Sequence, residues 1–194
     1  LVAAAAAAWA SGTPVEIIRQ GLEDCRGVPG RLEPVPNSIG AQVVVDYCHK
    51  PDALEKCLQA LAAIPHQRII TLFGCGGDRD KHKRPLMGGI ALRYSDQVIV
   101  TSDNPRTEDP EKIIEDIVAG MTGGRDRYRV IVDRREALRA GVAELRPGDI
   151  LLVAGKGHET YQIIGRQKYP FDDREIAQEL LIEAGKGREG GSWR

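Results

Sequence analysis

Five short apolar runs recur along the chain, each followed by a polar loop and most by a helix-like segment. They are Val43 to Val45, Arg68 to Phe73, Gln97 to Thr101, Arg129 to Val132 and Asp149 to Val153. Between them lie segments with helical periodicity: Asp52 to Ala63, with Leu54, Leu58 and Leu61 on one face, then Pro85 to Tyr94, Pro110 to Ala119 and Arg134 to Glu144. Strands this short and this uniformly apolar are buried on both faces. Alternation with helices of about 10 residues defines βαβ units. The expected fold is therefore α/β and Rossmann-like: a mostly parallel sheet with helices on both faces.

The flanks read differently. Residues 1 to 26 hold two short helices, an alanine run from Leu1 to Ala10 and a second from Pro14 to Cys25, with Thr13 as its N-cap and Pro14 at the first helical position. Gly27-Val28-Pro29-Gly30-Arg31 is a turn-rich break that marks a domain boundary. Toward the other end, Tyr161 to Ile164 and Gln167 to Tyr169 flank Gly165 as a small hairpin. Asp172 caps a last helix to about Ala184, and residues 185–194 form a glycine-rich flexible tail. The resulting division is 1–28, 29–184 and 185–194. Because the first residue is Leu1 rather than Met, the chain is expected to be part of a longer product.

Lys plus Arg total 27 and Asp plus Glu 28, a net charge of -1 that argues against a nucleic-acid-binding role. No run approaches the roughly 20 apolar residues of a membrane span, and no basic region precedes the alanine run as a signal peptide requires. Cys25, Cys48, Cys57 and Cys75 form no C-x-x-C pair and no metal-type spacing, which points to reduced thiols in a cytoplasmic protein with no metal of its own.

In parallel sheets ligands gather on loops after the carboxyl ends of strands. Four such loops carry unusual chemistry. Asp46 and His49 follow the first strand, where they suit a nucleotide or an ion, or where Asp52 simply caps the next helix and His49 is solvated. Gly74-Cys75-Gly76-Gly77 follows the second, with Arg79, Lys81, Lys83 and Arg84 behind it, either a ligand cradle or a flexible basic loop. It matches neither G-x-G-x-x-G nor G-x-x-x-x-G-K-[ST]. Asp103-Asn104-Pro105-Arg106 follows the third: Arg can fork a carboxylate while Asn both donates and accepts, and Asp109-Pro110 beyond it reads as helix-capping chemistry. Gly155-Lys156-Gly157-His158-Glu159 follows the last, offering Glu159 to an ammonium or forming a plain strand-to-hairpin turn. Together the loops bring both signs of charge to one edge. That suits a zwitterion such as an amino acid better than a polyanion.

Five segments in order, 27 to 33 (GVPGRLE), 45 to 54 (VDYCHKPDAL), 73 to 81 (FGCGGDRDK), 103 to 110 (DNPRTEDP) and 154 to 159 (AGKGHE), resemble the Mur ligase family, most closely its diaminopimelate-adding branch. The Asp-Asn-Pro-Arg segment resembles the signature separating that branch from the lysine-adding one. Cys48 and Lys50 depart from the Ala and Thr familiar in the His49 loop.

The resemblance implies an ATP-dependent ligase of peptidoglycan synthesis. ATP phosphorylates the D-glutamyl carboxylate of UDP-N-acetylmuramoyl-L-alanyl-D-glutamate, and an amine of meso-diaminopimelate attacks the acyl phosphate. It further implies that residues 1–28 end the central ATPase domain and 29–184 form the amino-acid-binding domain. Arg79, Asp103, Asn104, Pro105, Arg106, Gly155 and Glu159 would then hold diaminopimelate, with Arg31, Asp46 and His49 near the nucleotide. ATP and Mg2+ would be held mainly by the central domain, since the chain lacks the G-K-[ST] phosphate loop. The chain alone is then expected to be a catalytically inactive monomer with no catalytic residue of its own. Two alternatives remain open at this level: a non-catalytic structural subunit of the same family, and a ligase for another amino acid such as lysine.

Overall fold

The computed structural model describes residues 2–25 and 27–189. Two helices open the chain, α1 (Val2–Ala10) and α2 (Val15–Glu23), and neither buries a residue. Pro14, not Thr13, stands at the cap position of α2, and it makes no side-chain cap bond. Trp9, Val15 and Ile17 are exposed, so the apolar side of this pair has no cover among the described residues.

The remainder is the expected layered α/β body. Its strands are β1 (Glu33–Pro34), β2 (Gln42–Asp46), β3 (Ile69–Phe73), β4 (Gln97–Val100), β5 (Tyr128–Val130) and β6 (Ile150–Ala154). They form one sheet in the order β1-β2-β6-β3-β4-β5, with every pairing parallel except β1 against β2. β1 was not foreseen. It is two residues long and contains Pro34, which a sheet tolerates at an edge.

Alternation along each strand divides the core. β3 sends Ile69 and Phe73 to one face, where they meet Leu54, Leu58 and Leu61 of α3 (Pro51–Ala62), Met87 and Ala91 of α4 (Lys83–Tyr94), and Ile113 and Ile117 of α5 (Pro110–Val118). Ile70 and Leu72 go to the other, against Leu138 and Val142 of α6 (Arg134–Glu144) and Ala177 and Leu181 of α7 (Asp173–Glu189). Truncating a side chain such as Leu54 or Leu58, both fully buried, costs about 2–5 kcal/mol.

Helix ends explain the remaining differences from the sequence reading. α3 starts at Pro51 with Lys50 at the cap position, so Asp52 lies in the first turn, bonded to Lys56 at 3.1 Å, and does not cap. α4 starts at Lys83, two residues earlier than expected, because Pro85 in a first turn forfeits no hydrogen bond. Asp109 and Asp172 accept from Glu111 N and Arg174 N, both at 2.9 Å, and open their helices as foreseen. α7 continues past Ala184 to Glu189, and Gly185 packs against Ser38, where a β-carbon would come within 2.7 Å. That corrects the start of the expected tail; 190–194 lie outside the described residues. The hairpin β7 (Tyr161–Ile164) and β8 (Gln167–Pro170) is separate from the main sheet.

Candidate functional site

β6 enters last in sequence yet lies between β2 and β3. The loops following β2, β3, β4 and β6 are thereby brought to one sheet edge, where they enclose a cavity of about 570 Å³. His49 comes from the first loop, Arg79 from the second, Asp103, Asn104 and Arg106 from the third, and Gly155 and Glu159 from the fourth. Tyr161 of β7 adds an aromatic wall.

The floor is a hydrogen-bonded lattice. Asn104 Nδ2 donates to Glu159 Oε2 at 2.8 Å, while Asn104 Oδ1 accepts from Ile163 N at 2.9 Å and from Lys156 Nζ at 3.1 Å. Lys156 Nζ also meets Glu159 Oε2 at 3.2 Å and Asp103 Oδ1 at 3.8 Å. Burial pushes the Asp103 carboxyl above its ordinary range, opposed by the positive charges of Arg134 and Lys156. Gly155 adopts φ 114°, and a β-carbon there would lie 2.8 Å from Asp103 Oδ2, so glycine is required for the loop to close on this carboxylate. The Gly155 N–H is already donated to Asp46 O at 3.0 Å, which leaves the carbonyl as the backbone group available to a ligand.

Two arginines, Arg106 and Arg79, line the same cavity. Arg106 has φ 52° and is locked by the hairpin: its N–H donates to Ile163 O at 3.0 Å and its carbonyl accepts from Gly165 N at 2.7 Å. Its guanidinium donates to Gly77 O at 2.8 Å and to Asn104 O at 3.5 Å, both neutral acceptors, and no carboxylate pairs with it among the described residues. Arg79 donates to Asp78 O at 3.0 Å. The other cations of the basic run already have partners, although Lys83 also lines the cavity. Arg84 is fully buried against Glu108 and Asp116, Lys81 pairs with Glu108 at 3.0 Å, and Lys83 donates to His49 O at 2.7 Å. Arg84 holds the Glu108 carboxyl down at about 2.

Three of the sequence-derived residues stand outside the cavity wall. Pro105 O lies where a Gly77 β-carbon would come within 1.9 Å, so its part is close packing between two loops. Asp46 Oδ2 accepts from Leu32 N at 2.8 Å, and Arg31 lies over the Tyr47 ring at 5.2 Å; both tie the 30–33 turn to the first loop. Gly30 is pressed against the backbone of Gly157 and His158 in the same assembly. His49 reaches the wall, with Nδ1 2.8 Å from Tyr47 O.

The residue that sequence reasoning missed is Lys156. Lysine is almost never fully buried without a partner, and nothing in Gly-Lys-Gly marks one as internal. A weaker signal did exist, in that it lies two residues past a wholly buried strand. The cysteines are free among the described residues, with Cys25 exposed and Cys48, Cys57 and Cys75 buried. Cys48 and Cys57 approach Asp46 closely enough for all three donor atoms to lie within 4.8 Å, a grouping that the sequence spacing did not suggest. The neighbouring Cys57 thiol and burial hold Cys48 protonated, far above the ordinary thiol range.

Fold and cavity define a class: a mostly parallel α/β domain with a strand-end cavity lined by carboxylates and guanidinium groups together. Comparison with known proteins makes this specific. The model of the Mur ligase, glutamate ligase domain, matches residues 30–157, and the chain belongs to the Mur ligase family. It is 50% identical over 180 residues to a UDP-N-acetylmuramoyl-L-alanyl-D-glutamate–2,6-diaminopimelate ligase of Clostridioides difficile, covering 93% of this chain and 37% of that protein. The enzyme of the same name from Synechococcus elongatus is 50% identical over 184 residues, covering 94% and 37%. A solved structure of a ligase of that name superposes with a TM-score of 0.78 at 40% identity, covering 95% of this chain and 38% of the other. A UDP-N-acetylmuramate-alanine ligase from Thermotoga maritima shares the fold, with a TM-score of 0.63 at 18% identity, covering 94% and 36%. The chain thus spans well under half the length of these relatives. No helix among the described residues is long and apolar enough to cross a membrane.

Proposed function

We propose that this chain is the amino-acid-receiving part of an ATP-dependent ligase that adds meso-diaminopimelate to UDP-N-acetylmuramoyl-L-alanyl-D-glutamate in cytoplasmic peptidoglycan synthesis. The observation that carries this reading is the placement of Glu159 and Asn104 in the same cavity as Arg106 and Arg79. One end of diaminopimelate carries an ammonium and a carboxylate on a single carbon. The ammonium docks on Glu159, the carboxylate is forked by the arginines and met by Asn104, and the far amine is left toward the cavity mouth to react. Lysine lacks the distal carboxylate and would leave the arginines unmatched. The names of the relatives support the same substrate.

ATP and Mg2+ belong, on this reading, to the part of the ligase outside this chain. The glycines after β3 do not fit a phosphate cradle: β-carbons on Gly74 and Gly77 would lie 2.2 Å from Thr101 O and 1.9 Å from Pro105 O. They serve packing between two loops, not an approach by phosphate, and no step is routed through them. Arg31, Asp46 and His49, gathered around Tyr47, form the lip that would face the nucleotide-bearing part. The α1–α2 pair, with Trp9 and Ile17 uncovered, suits the end of a preceding domain.

Titrating the chain with meso-diaminopimelate and with lysine, following backbone amide shifts, tests the proposal. Diaminopimelate should bind at least about tenfold tighter, since either of its ends carries the ammonium–carboxylate pair, whereas lysine held with its α-amine at the mouth offers the arginines no carboxylate. Equal binding by lysine would overturn the substrate reading. Measurable ATP-dependent ligation by this chain alone would overturn the division of labour.

A further inference from the structure

Lys156 is fully buried, carries a charge, and makes no contact with solvent. Gly155 at φ 114° and Gly157 at φ 51° flank it. Neither glycine can be replaced without collision, since β-carbons would strike Asp103 Oδ2 at 2.8 Å and Tyr47 Cβ at 2.6 Å. The chain therefore spends two left-handed positions on turning one lysine inward beneath the cavity. The neighbouring buried cation, Arg134, is fully committed: it grips Asp173 through two bonds of 2.9 and 2.8 Å and donates to Ala154 O at 3.0 Å. Lys156 is thus the cation left to face Asp103 and Glu159.

Its bonds also fix two orientations. Asn104 Oδ1 receives both Lys156 Nζ and Ile163 N, so the amide must turn its Nδ2 toward Glu159. Both described bonds to the Glu159 carboxylate, from Asn104 and from Lys156, fall on Oε2. Oε1 is left without a described partner on a side chain that lines the cavity. A carboxylate held by one oxygen in a low-dielectric floor presents the other in a fixed direction, which is the arrangement that discriminates for a ligand ammonium.

We propose that Lys156 is a positioning residue that acts through Glu159 and Asn104, setting the cavity's selectivity for a ligand ammonium without touching the ligand. The inference rests on the diaminopimelate reading of the site. It separates two functions of the cavity: the arginines grip the carboxylate, whereas the Lys156 lattice determines whether an adjacent ammonium is recognised.

The test compares meso-diaminopimelate with pimelate, which keeps both carboxylates but has no amine at either end, in the unaltered chain and in Lys156→Met. The unaltered chain should prefer diaminopimelate by about tenfold or more, the worth of one charge-assisted hydrogen bond. In Lys156→Met this preference should collapse toward unity while pimelate binding changes less than about threefold, because the arginine grip is intact. A merely structural role would weaken both ligands alike, and that result, or a preserved preference, overturns the proposal. Should neither ligand bind the unaltered chain, the diaminopimelate reading itself is overturned. Should Lys156→Met fail to fold by circular dichroism, the 15Nζ resonance of Lys156 in the unaltered chain decides. It should shift with diaminopimelate and not with pimelate; equal shifts, or none, overturn the proposal.

Discussion

Two ionic clusters border the cavity, and they are built on opposite principles. Around Arg84, charge is saturated by opposite charge, although the buried Nε itself has no hydrogen-bond partner among the described residues: the guanidinium is fully buried, two of its nitrogens engage Glu108 at 3.0 and 2.9 Å, and Asp116 takes another bond at 2.9 Å. Glu108 additionally accepts from Asp78 N and pairs with Lys81. Around Lys156, one ammonium faces both Asp103 and Glu159, and one oxygen of Glu159 is left over. Saturation fastens the loop after β3 to the loop after β4. Incompleteness leaves an oxygen of Glu159 open on a side chain that lines the cavity, which is what the proposed binding site requires. Charge content alone does not tell the two apart.

Mutations should therefore separate stability from recognition, and the largest effect belongs to the saturated cluster. Arg84→Met should lower unfolding free energy in urea by about 3–5 kcal/mol, since it strands Glu108 and Asp116 without their buried partner. A loss below about 1 kcal/mol would mean that the cluster is dispensable to the fold.

Next is Arg106→Ala, which should weaken meso-diaminopimelate binding by about 2 kcal/mol, roughly thirtyfold, with a much smaller change in stability. Calorimetric titration beside urea unfolding measures both. An equal loss of stability would erase the distinction between the clusters.

Acid provides a subtler probe of the saturated side. The Glu108 carboxyl is held at about 2 against an ordinary 4.5, chiefly by Arg84. Its folded value is depressed, so its stabilisation is fully present above 4.5 and is lost as pH falls toward about 2. Melting temperature followed across that window should fall more steeply in the unaltered chain than in Glu108→Gln. Parallel curves would remove Glu108 from the account.

Smallest of all should be deletion of residues 1–26. α1 and α2 bury nothing, and removing them should change the stability of the α/β body by no more than about 0.5 kcal/mol. A large drop in the melting temperature would place them inside the cooperative unit.

Much of this was legible in the residues. Apolar runs such as Leu151 to Val153 announce strands buried on both faces, and the strand-end rule then locates Asn104, Arg106 and Glu159 at one edge before any coordinates exist. Local chemistry identified the caps at Asp109 and Asp172 for the same reason. What was hidden depends on contacts distant in sequence. Arg84 and Arg79 look alike in a basic run, yet one is buried 24 residues from its partner Glu108 and the other lines the cavity. Gly74 and Gly77 resemble a ligand cradle until Thr101 O and Pro105 O are found against them. β1 is too short to carry a pattern, and Lys156 has only its place just past a buried strand as a local mark, since Asn104, which orients it, comes from the loop after β4.

The central claim is that one cavity grips both charges at the end of diaminopimelate, and a crystal structure of the chain with that ligand tests it most directly. The account predicts the distal ammonium within hydrogen-bond distance of Glu159 Oε1 and the adjacent carboxylate on Arg106 and Arg79, with the other amine at the mouth. A ligand bound with its ends reversed, or bound outside the cavity, would contradict it.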